Sequence, residues 1–470
     1  MFLQKWLSAV CLCSLALILP GCGGSTSTPI PAPQSGSVFV TGTDAPLPSV
    51  VSFQVDITGL SVSDGTQSQS VLTNTQTVDF ARLNGLHTLL DINTIPAGTY
   101  TQVTVTLANP KIDYLNVPSP QTVPPTRPAV SSLDSTSSSS PQLSLTQSQV
   151  IINLTSPLVV SEGDIIGLKF EFDIRKSVAV DTNGQITGQI TPTLNLKAIT
   201  PDDADAYIDE FDAGVVSANV TGNSFVVQGP HGHQFTVNVN DQTEWENDES
   251  ISDLSTNSIV EISGTLDRTS AAILADSVAI VSQDKFWAGG LVTFVEPQTG
   301  AATDFDLYVR NVLPSGTGFA SGQISTVDLT GEEKYFIHWW HNRFGSFLFN
   351  SSMMVPGQHV SIAGPFNNGQ VTVKRVVLRH YGHSGSLVVG QTDTSAGTFQ
   401  FDSNGLAGVL FSGPVTVQVT PFTKYRGGLN GIGDLTGNVS LPLRIVGLVL
   451  KNPATGQPIV LAHSVEEMTD

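Results

Sequence analysis

Short segments in which β-branched or aromatic residues alternate with polar ones recur along almost the whole chain. Examples are SVFVTG, TYTQVTVTL, QFTVNVN and QVTVKRVVL, and this alternation is typical of half-buried β-strands. Turn sequences separate them, among them DTNG at 181–184 and NNG at 367–369, which supply the positive φ angles of tight hairpins. No long segment keeps an apolar period of about 3.6 residues, the helical signature. The sequence therefore predicts an all-β protein.

Residues 36–200 are predicted to form one domain. Its motifs are TDAP at 43–46, PAGTY at 96–100, and FD at 172–173 with SV at 177–178. In this order they resemble the family of the domain of unknown function DUF4382, which is common in bacterial envelope lipoproteins. PAGTY followed by alternating residues also recurs in sandwich domains of the prealbumin and immunoglobulin type. The resemblance implies an Ig- or prealbumin-like β-sandwich.

Two segments of this part of the chain are predicted to lack packed structure. Residues from about 118 to 148 are rich in Ser and Pro and show no periodicity, so we expect a disordered loop inserted in the sandwich. The acidic segment PDDADAYIDEFDAG at 201–214 suggests calcium, but its acids lack the D-x-[DN]-x-[DN]-G spacing of a calcium loop. We therefore expect residues 201–213 to form a solvated linker.

The remainder of the chain is predicted to be an internal repeat of three small β-barrel-like modules at 214–283, 286–381 and 382–468. Each unit contains a strand that reaches a glycine; these residues are Gly264, Gly364 and Gly447. The first unit, with AGVVSANVTGNSFVVQG and IVEISGTL, resembles the domain of unknown function DUF5666. Short strands that bend sharply at glycine are typical of a small barrel. Neither family has a known reaction, so the resemblances imply no catalytic residue.

The first residues, MFLQKWLSAVCLCSLALILPGC, resemble a bacterial lipoprotein signal. Lys5 provides the positive charge, and the apolar run that follows is too short for a comfortable permanent membrane span. The resemblance implies cleavage of residues 1–21, attachment of a diacylglycerol to Cys22, and often a further acyl chain, such as palmitate, on the new amine. Residues 22–35 would then form a flexible tether. An ordinary secretory signal with an incidental cysteine is the alternative.

The residue after the predicted acylated cysteine, Gly23, indicates in which membrane a bacterial lipoprotein would be anchored. Asp there would suggest retention in the inner membrane, whereas Gly23 favours an outer-membrane lipoprotein, facing either the periplasm or the cell surface. An inner-membrane-anchored periplasmic protein or a secreted protein is the alternative. The cysteines are Cys11, Cys13 and Cys22, so no disulfide is expected in the processed chain, although this compartment permits disulfides.

Charge and missing motifs narrow the function classes. The chain has 20 Lys and Arg against 40 Asp and Glu, a net charge of −20, and such a surface repels nucleic-acid phosphates. The P-loop, the dinucleotide-binding glycine motif, G-x-S-x-G and H-E-x-x-H do not occur in the sequence. We therefore predict no nucleic-acid partner, no cofactor and no enzymatic activity.

Histidines occur as three close pairs: His231/His233, His338/His341 and His380/His383. Two such pairs could bind Zn²⁺ or Cu²⁺ if they met in space. The first pair lies in QGPHGHQF, a turn in which both rings should face water. Residues three apart on a strand point to opposite faces, which argues against chelation by the second pair. No metal site is predicted, and the second and third pairs are the residues to check.

The segment EKYFIHWWHNRFGSFLFN at 333–350 is unusually aromatic for a chain with 7% aromatic residues. Alternation places rings on both faces of a predicted hairpin at 335–349. Exposed Trp and Tyr rings stack on sugars or anchor protein partners, and the candidate ligand-binding residues are Tyr335, Trp339, Trp340 and Phe344. The favoured alternative is that one face fills the barrel and the other packs against the neighbouring module.

Two pairs of acids could in principle perform glycosidic acid–base chemistry. They are Glu244/Glu246 and Asp304/Asp306. Each pair lies on a strand-like segment beside turns, where acids are usually solvated, so we predict no catalytic role for them.

Together these features predict a lipid-anchored cell-envelope protein with a non-enzymatic structural, adhesive or binding role. Its expected partners are the membrane, through the anchor, and an envelope glycan or protein. Two alternatives stay open: a protein that binds or processes envelope polysaccharide through the hairpin at 335–349, and a periplasmic carrier of a metal or small molecule. A long cleft lined by acids would favour a polysaccharide enzyme, whereas smooth, separate modules would favour a scaffold.

Overall fold

The computed structural model describes most of the chain after the predicted signal. The described residues are 34–45, 50–116, 127–135, 142–182, 186–229, 232–245, 249–256, 258–282, 285–313, 317–338, 349–367, 370–403 and 413–468. The predicted signal 1–21, Cys22 and most of the predicted tether lie outside them. Among the described residues the only α-helix is α1 (Ile174–Ser177), and no helix there is long and apolar enough to cross a membrane. The prediction of an all-β chain is confirmed.

The N-terminal domain is a β-sandwich. Its strands are β1 (Ser35–Ala45), β2 (Val50–Ser63), β3 (Ser68–Ser70), β4 (Gln76–Asp79), β5 (Thr88–Pro96), β6 (Gly98–Asn116), β7 (Ala129–Asp134), β8 (Ser144–Leu145), β9 (Gln149–Val160), β10 (Ile165–Asp173), β11 (Val178–Val180), β12 (Ile186–Ile190) and β13 (Leu194–Ile199). One sheet has the order β13-β10-β1-β5, with β1 parallel to β10. In the other, β6 pairs with β2, β7 and β9, and β2 also pairs with β3 and β4. Strands β11, β12 and β8 form a small third sheet.

The core of the sandwich lies between its two main sheets. Alternation turns Phe170 and Phe172 of β10 inward, where they join Phe53 of β2 and Phe80 in one buried cluster. The rings of Phe53 and Phe172 lie 4.8 Å apart between centroids. Burying one such side chain stabilises a fold by about 1.5–3 kcal/mol, so this aromatic cluster holds the sheets together.

Three β-modules follow the sandwich. The first contains β14 (Ile208–Asn219), β15 (Ser224–Gln228), β16 (Gln234–Asn238), β17 (Glu244–Trp245), β18 (Ile259–Leu266) and β19 (Ile273–Ser282). The second contains β20 (Lys285–Glu296), β21 (Asp304–Leu313), β22 (Ile324–Asp328), β23 (Lys334–Ile337), β24 (His359–Asn367), β25 (Gln370–Val371) and β26 (Arg375–Arg379). The third contains β27 (Tyr381–Asp393), β28 (Thr398–Ser403), β29 (Val415–Gln418), β30 (Lys424–Arg426), β31 (Pro442–Lys451) and β32 (Pro458–Glu467).

The three modules share one strand order. The orders are β16-β15-β14-β18-β19-β17, β22-β21-β20-β24-β26-β23 and β29-β28-β27-β31-β32-β30. The third module closes into a five-stranded barrel because β29 also pairs with β32, and the first closes in the same way through β16 and β19. No equivalent pairing of β22 with β26 occurs among the described residues. The second module therefore keeps the topology without the closure.

The glycine near the middle of each module's penultimate long strand allows a close backbone approach. A Cβ on Gly264, Gly364 or Gly447 would lie 2.2, 2.0 or 2.3 Å from a carbonyl oxygen of the neighbouring chain segment. The strand register also shifts at Gly264 and Gly447. The sharp bend that the sequence suggests at these positions thus depends on the missing side chain.

The modules pack against the sandwich and against one another, and residues Gln34–Asp470 form one compact unit. Val51 and Leu115 of the sandwich share a buried cluster with Leu291, Tyr308 and Tyr381 of the second and third modules. Such shared clusters bury apolar surface that separate modules would expose to water.

A polar contact also joins the sandwich to the third module. Asn84 donates from Nδ2 to the carbonyl oxygen of Gly382 (2.8 Å) and accepts from Ser384 Oγ (3.0 Å). A Cβ on Gly382 would lie 1.5 Å from the Asn84 carbonyl oxygen. Only glycine fits between these two domains at this point.

Two segments expected to lack packed structure are ordered where they are described. In the Ser/Pro-rich segment, β7 pairs with β6 and buries Leu133, because short apolar stretches are hidden within its polar average. Strand β14 begins at Ile208, inside the expected linker at 201–213, and buries Asp209, Glu210 and Asp212. The expectation of a solvated acidic linker is wrong for these three acids, because His87 of the sandwich contacts Asp209 and Arg379 of the second module contacts Glu210 and Asp212.

Candidate functional site

A cleft lies between the sandwich and the first module, with about 610 Å³ of empty space that includes solvent at its opening. The sandwich contributes β4, the 3₁₀ turn Phe80–Arg82 and β5, and the module contributes β14 and the hairpin of β15 and β16. The apolar lining side chains are Val78, Leu83, Leu89, Leu90, Phe211 and Phe235. The other described lining residues are Gly229 and seven polar or charged residues: Gln76, Thr77, Asp79, Arg82, Thr88, Asp212 and His233. Small-molecule sites likewise combine apolar walls with a few polar groups.

The walls of the cleft follow from the alternation of two strands. On β5, Leu90 points into the core of the sandwich, whereas its neighbour Leu89 packs into the core of the first module. On the module side, Phe211 and Phe235 meet edge to face with ring centroids 5.1 Å apart. The cleft therefore lies at the interface between the hydrophobic core of the sandwich and that of the first module.

His233 lies at one side of the cleft beside a buried acid. Its Nδ1 lies 3.4 Å from Asp91 Oδ1, and its ring packs against Phe235 with centroids 4.6 Å apart. Thr73 donates to Asp91 Oδ2 from its backbone N (2.7 Å) and from Oγ1 (2.8 Å). The sequence suggests a turn with two solvated histidines, but His233 is only partly exposed, and His231 lies outside the described residues.

Arg82 lines the cleft and also lines a second, narrower chamber. Its Nη2 lies 3.7 Å from Asp212 Oδ2, which is too long for a hydrogen bond. Asp212 lines both spaces as well. The two spaces therefore adjoin at this ion pair.

The chamber is built around Arg379 at the end of β26. Its Nη2 donates to Asp212 Oδ1 (3.1 Å), lies 3.6 Å from Glu210 Oε2 and contacts Glu261 Oε2. The four side chains are at most 6% exposed. Trp287 lies beside the guanidinium, 5.6 Å from it to the ring centroid. We call these four charged residues the Arg379 cluster.

The strand register of the first module explains why so many acids meet here. Asp212 of β14 is paired directly with Glu261 of β18, and Glu210 lies two positions along the same strand, on the same face. Like charges directly opposite one another destabilise a sheet. Arg379 of the second module offsets that repulsion.

Burial controls the protonation of the Arg379 cluster. Burial, with the charges of Glu261 and Asp212, outweighs the nearby Arg379 and raises the pKa of Glu210 to about 8. For Arg379, burial alone would lower the pKa, but the three carboxylates outweigh it and raise the pKa above its ordinary value. With a proton on Glu210, two carboxylates remain for Arg379 and Arg82. Arg82, which is not one of the four cluster residues, thus supplies the counter-charge that the second carboxylate needs.

The candidate histidines His338, His380 and His383 are buried, and His338 contacts this cluster. His338 Nε2 lies 3.1 Å from Glu261 Oε1, and the His380 ring lies 6.2 Å from His338 and 5.7 Å from His463. His383 packs on Tyr381, and burial lowers the pKa of His383 to about 3. Among the described residues no group of three or more His, Cys, Asp or Glu could hold a metal ion. His341 lies outside them.

The described part of the aromatic hairpin packs inward. Tyr335 is half-buried in the core of the second module and meets Phe349 edge to face with centroids 5.7 Å apart. Phe336 lies under Arg375, 4.4 Å from the guanidinium carbon to the ring centroid, and Arg375 Nη1 donates to the Ile280 carbonyl of the first module (2.8 Å). Tyr335 is thus no exposed platform. The other candidates, Trp339, Trp340 and Phe344, lie outside the described residues.

The acid pairs considered for catalysis do not line the cleft. Asp304 accepts from Arg127 Nη2 (2.7 Å), and Asp306 contacts Arg127 Nη1 and accepts from Thr326 Oγ1 (2.8 Å). Arg127 also lies over the Phe294 ring. These contacts attach the loop that precedes β7 to the second module. Glu244 lies on β17, and Glu246 lies outside the described residues.

The sequence did not reveal the Arg379 cluster as a site. The sequence predicts that Glu210 and Asp212 lie in a solvated linker, and no motif in it distinguishes Glu261, Arg379 or His463. One signal was available, because Glu210-Phe211-Asp212-Ala213 alternates acid with apolar residue, as a strand does.

Two family models match the chain. Residues 35–188 match Domain of unknown function (DUF4382), and residues 213–279 match Domain of unknown function (DUF5666). No curated protein matches the chain. The two resemblances seen in the sequence are confirmed over these residues. The chain therefore contains a DUF4382 domain within the sandwich and a DUF5666 domain within the first module, and the cleft lies between them.

Proposed function

We propose that this is a lipid-anchored cell-envelope protein whose cleft binds a small apolar molecule, or the apolar part of a larger one, without enzymatic turnover. The observation that carries the proposal is the cleft itself, which combines apolar walls such as Leu89, Phe211 and Phe235 with polar groups that include Arg82 and His233. Pockets of this composition are the usual binding sites of small ligands. The anchor at Cys22 rests on the sequence resemblance to lipoprotein signals.

The arrangement of the modules makes a binding role the best supported of the three roles considered. Smooth, separate modules would favour a scaffold, but these modules share buried clusters with the sandwich. A long cleft lined by acids would favour a polysaccharide enzyme, but the described lining residues of this cleft include six apolar side chains and two acids, Asp79 and Asp212, both near Arg82.

Fluorescence of the neutral dye N-phenyl-1-naphthylamine tests the cleft. Thr77 is exposed and lines the cleft, so Thr77→Trp should fill its mouth without disturbing a core. We expect the protein to enhance the dye's fluorescence and Thr77→Trp to weaken dye binding at least tenfold. Val439→Trp, at a position 67% exposed in the third module, is the control. Equal dye binding by both variants would place the apolar site elsewhere.

Fractionation of cells tests the anchor separately. Cys22→Ser removes the thiol that the acyl chains would modify. Because two or three acyl chains bind a bilayer almost irreversibly, the unmodified protein should sediment with membranes and the variant should not. Equal sedimentation would refute the anchor and leave the cleft proposal standing.

A further inference from the structure

We infer that the ligand of this cleft is an amphipathic carboxylate, an apolar chain whose acid group pairs with Arg82. This inference rests on the proposed function and specifies its ligand class. It depends on the guanidinium of Arg82, which donates no hydrogen bond to an acceptor in the described part of the chain.

Arg82 has unused donor capacity. Its guanidinium donates no hydrogen bond to an acceptor in the described part of the chain, and its nearest acid, Asp212, lies 3.7 Å away. Asp212 already accepts from Arg379 at 3.1 Å. The Arg82 side chain is 20% exposed, so a ligand in the cleft can reach it. Arginine pairs with carboxylates through two parallel hydrogen bonds.

Gln76 also lies in the cleft wall. The residue is 3% exposed, and its Nε2 is buried without a hydrogen-bond partner among the described residues. Because that nitrogen is closed to solvent, a ligand would reach it only if the amide moved. Arg82 is therefore the donor that calls for a ligand whose polar end accepts hydrogen bonds.

The charges nearby permit an anion at this position. With a proton on Glu210, the carboxylates of Asp212 and Glu261 face three guanidiniums, those of Arg379, Arg82 and the buried Arg310, so one positive charge remains for an anion. Burial raises the pKa of Asp79, the other acid that lines the cleft, which weakens its repulsion of an anion. The net charge of −20 disfavours anions at long range, but salt screens that repulsion beyond about 8 Å at physiological ionic strength.

The apolar walls set the length of the chain. At roughly 30 Å³ for each carbon, the volume of one molecule in liquid water, a ten-carbon chain occupies roughly 300 Å³. The empty space of about 610 Å³ includes solvent at the opening of the cleft, so part of such a chain would lie at that opening. Decanoate is therefore a probe of intermediate length, and its tail should lie along Leu83, Leu89 and Phe235.

Calorimetric titration of residues 34–470, which form a compact unit, with decanoate, 1-decanol and decylamine tests the inference. We expect decanoate to bind at least tenfold more tightly than 1-decanol, a difference of about 1.4 kcal/mol. Octanoate should bind more weakly than decanoate by about fourfold for each methylene lost. Arg82→Gln should abolish the preference for the carboxylate, and Arg82→Lys should retain part of it.

Arg268→Gln is the matched control, because Arg268 is 59% exposed and pairs with Asp202 outside the cleft. Thermal denaturation of each variant shows that it folds. Equal affinity for decanoate and 1-decanol, or tighter binding of decylamine, would overturn the carboxylate and leave an apolar binding site. If none of the three ligands bound, the inference and the binding role proposed above would both fail.

Discussion

Removing Arg379 should destabilise the protein in a way that depends on pH. The side chain is 1% exposed and lies among three carboxylates that are at most 6% exposed. In Arg379→Met, one carboxylate loses its counter-charge and must stay buried as an anion or take up a proton. Taking up a proton at pH 7.5, from an ordinary carboxyl pKa of about 4.3, costs about 4 kcal/mol. Breaking a buried ion pair on one side costs about 3–5 kcal/mol, so the two estimates agree.

The same reasoning predicts a smaller loss in acid. At pH 5.5 the proton uptake costs only about 1.6 kcal/mol, so the variant should recover more than half of its lost stability relative to the unmodified protein. The assay is urea denaturation at both pH values, followed by circular dichroism, with Arg268→Met as the exposed control. Glu261→Gln in the Arg379→Met background should restore stability at pH 7.5. An equal loss at both pH values would refute the charge argument and leave only lost packing around Trp287.

Three further predictions concern protonation and close packing. Burial raises the pKa of Glu210 from 4.5 to about 8, so between these values the folded state keeps a proton that the unfolded state releases, and the free energy of unfolding should fall as the pH rises. Glu210→Gln should flatten that fall in urea midpoints measured from pH 5 to 9. Parallel curves for both proteins would contradict the raised pKa of Glu210. Burial lowers the pKa of His383 from 6.5 to about 3, so the free energy of unfolding should fall with decreasing pH from about 6.5, by up to about 1.4 kcal/mol per pH unit. His383→Leu should lessen this loss in the same urea titrations. If stability depended on pH below 6.5 in the same way in both proteins, other groups would be the cause. Gly447→Ala should lower the free energy of unfolding by about 1–3 kcal/mol, because its Cβ would lie 2.3 Å from the Leu461 carbonyl oxygen. The control is Gly437→Ala, which has open space around it and should change thermal denaturation little. Equal effects of the two substitutions would rule out the close approach as the cause.

The fold class was predictable because strand alternation and turn residues are local signals. Segments such as the strand ending at Gly264 carry their own periodicity, and three copies of one pattern indicated a repeat before any contact was known. Closure was not predictable. The pairing of β16 with β19 and of β29 with β32 closes the first and third modules, and the described part of the second module lacks its equivalent.

The aromatic and histidine candidates show a different limit. Tyr335 and His338 were singled out by residue type, and both lie in packed surroundings. Aromatic rings and neutral imidazoles fill cores as readily as they line sites. Residue type therefore identifies the unusual segment, but it cannot tell a core from a binding surface.

The cleft and the Arg379 cluster could not be predicted from the sequence, and strand β14 shows the physical cause. Its alternation indicates that Glu210 and Asp212 share one face and that Phe211 and Ala213 share the other. On a solitary barrel the acidic face would lie in water, which is why these residues suggest a solvated linker. Strand β26 has the same ambiguity, since Leu378 enters the core of the second module while Arg379 points the other way. Each strand alone shows a polar face. The charges become buried only because packing of the second module places Arg379 opposite the acids, and alternation determines which side chains share a face but not what covers that face.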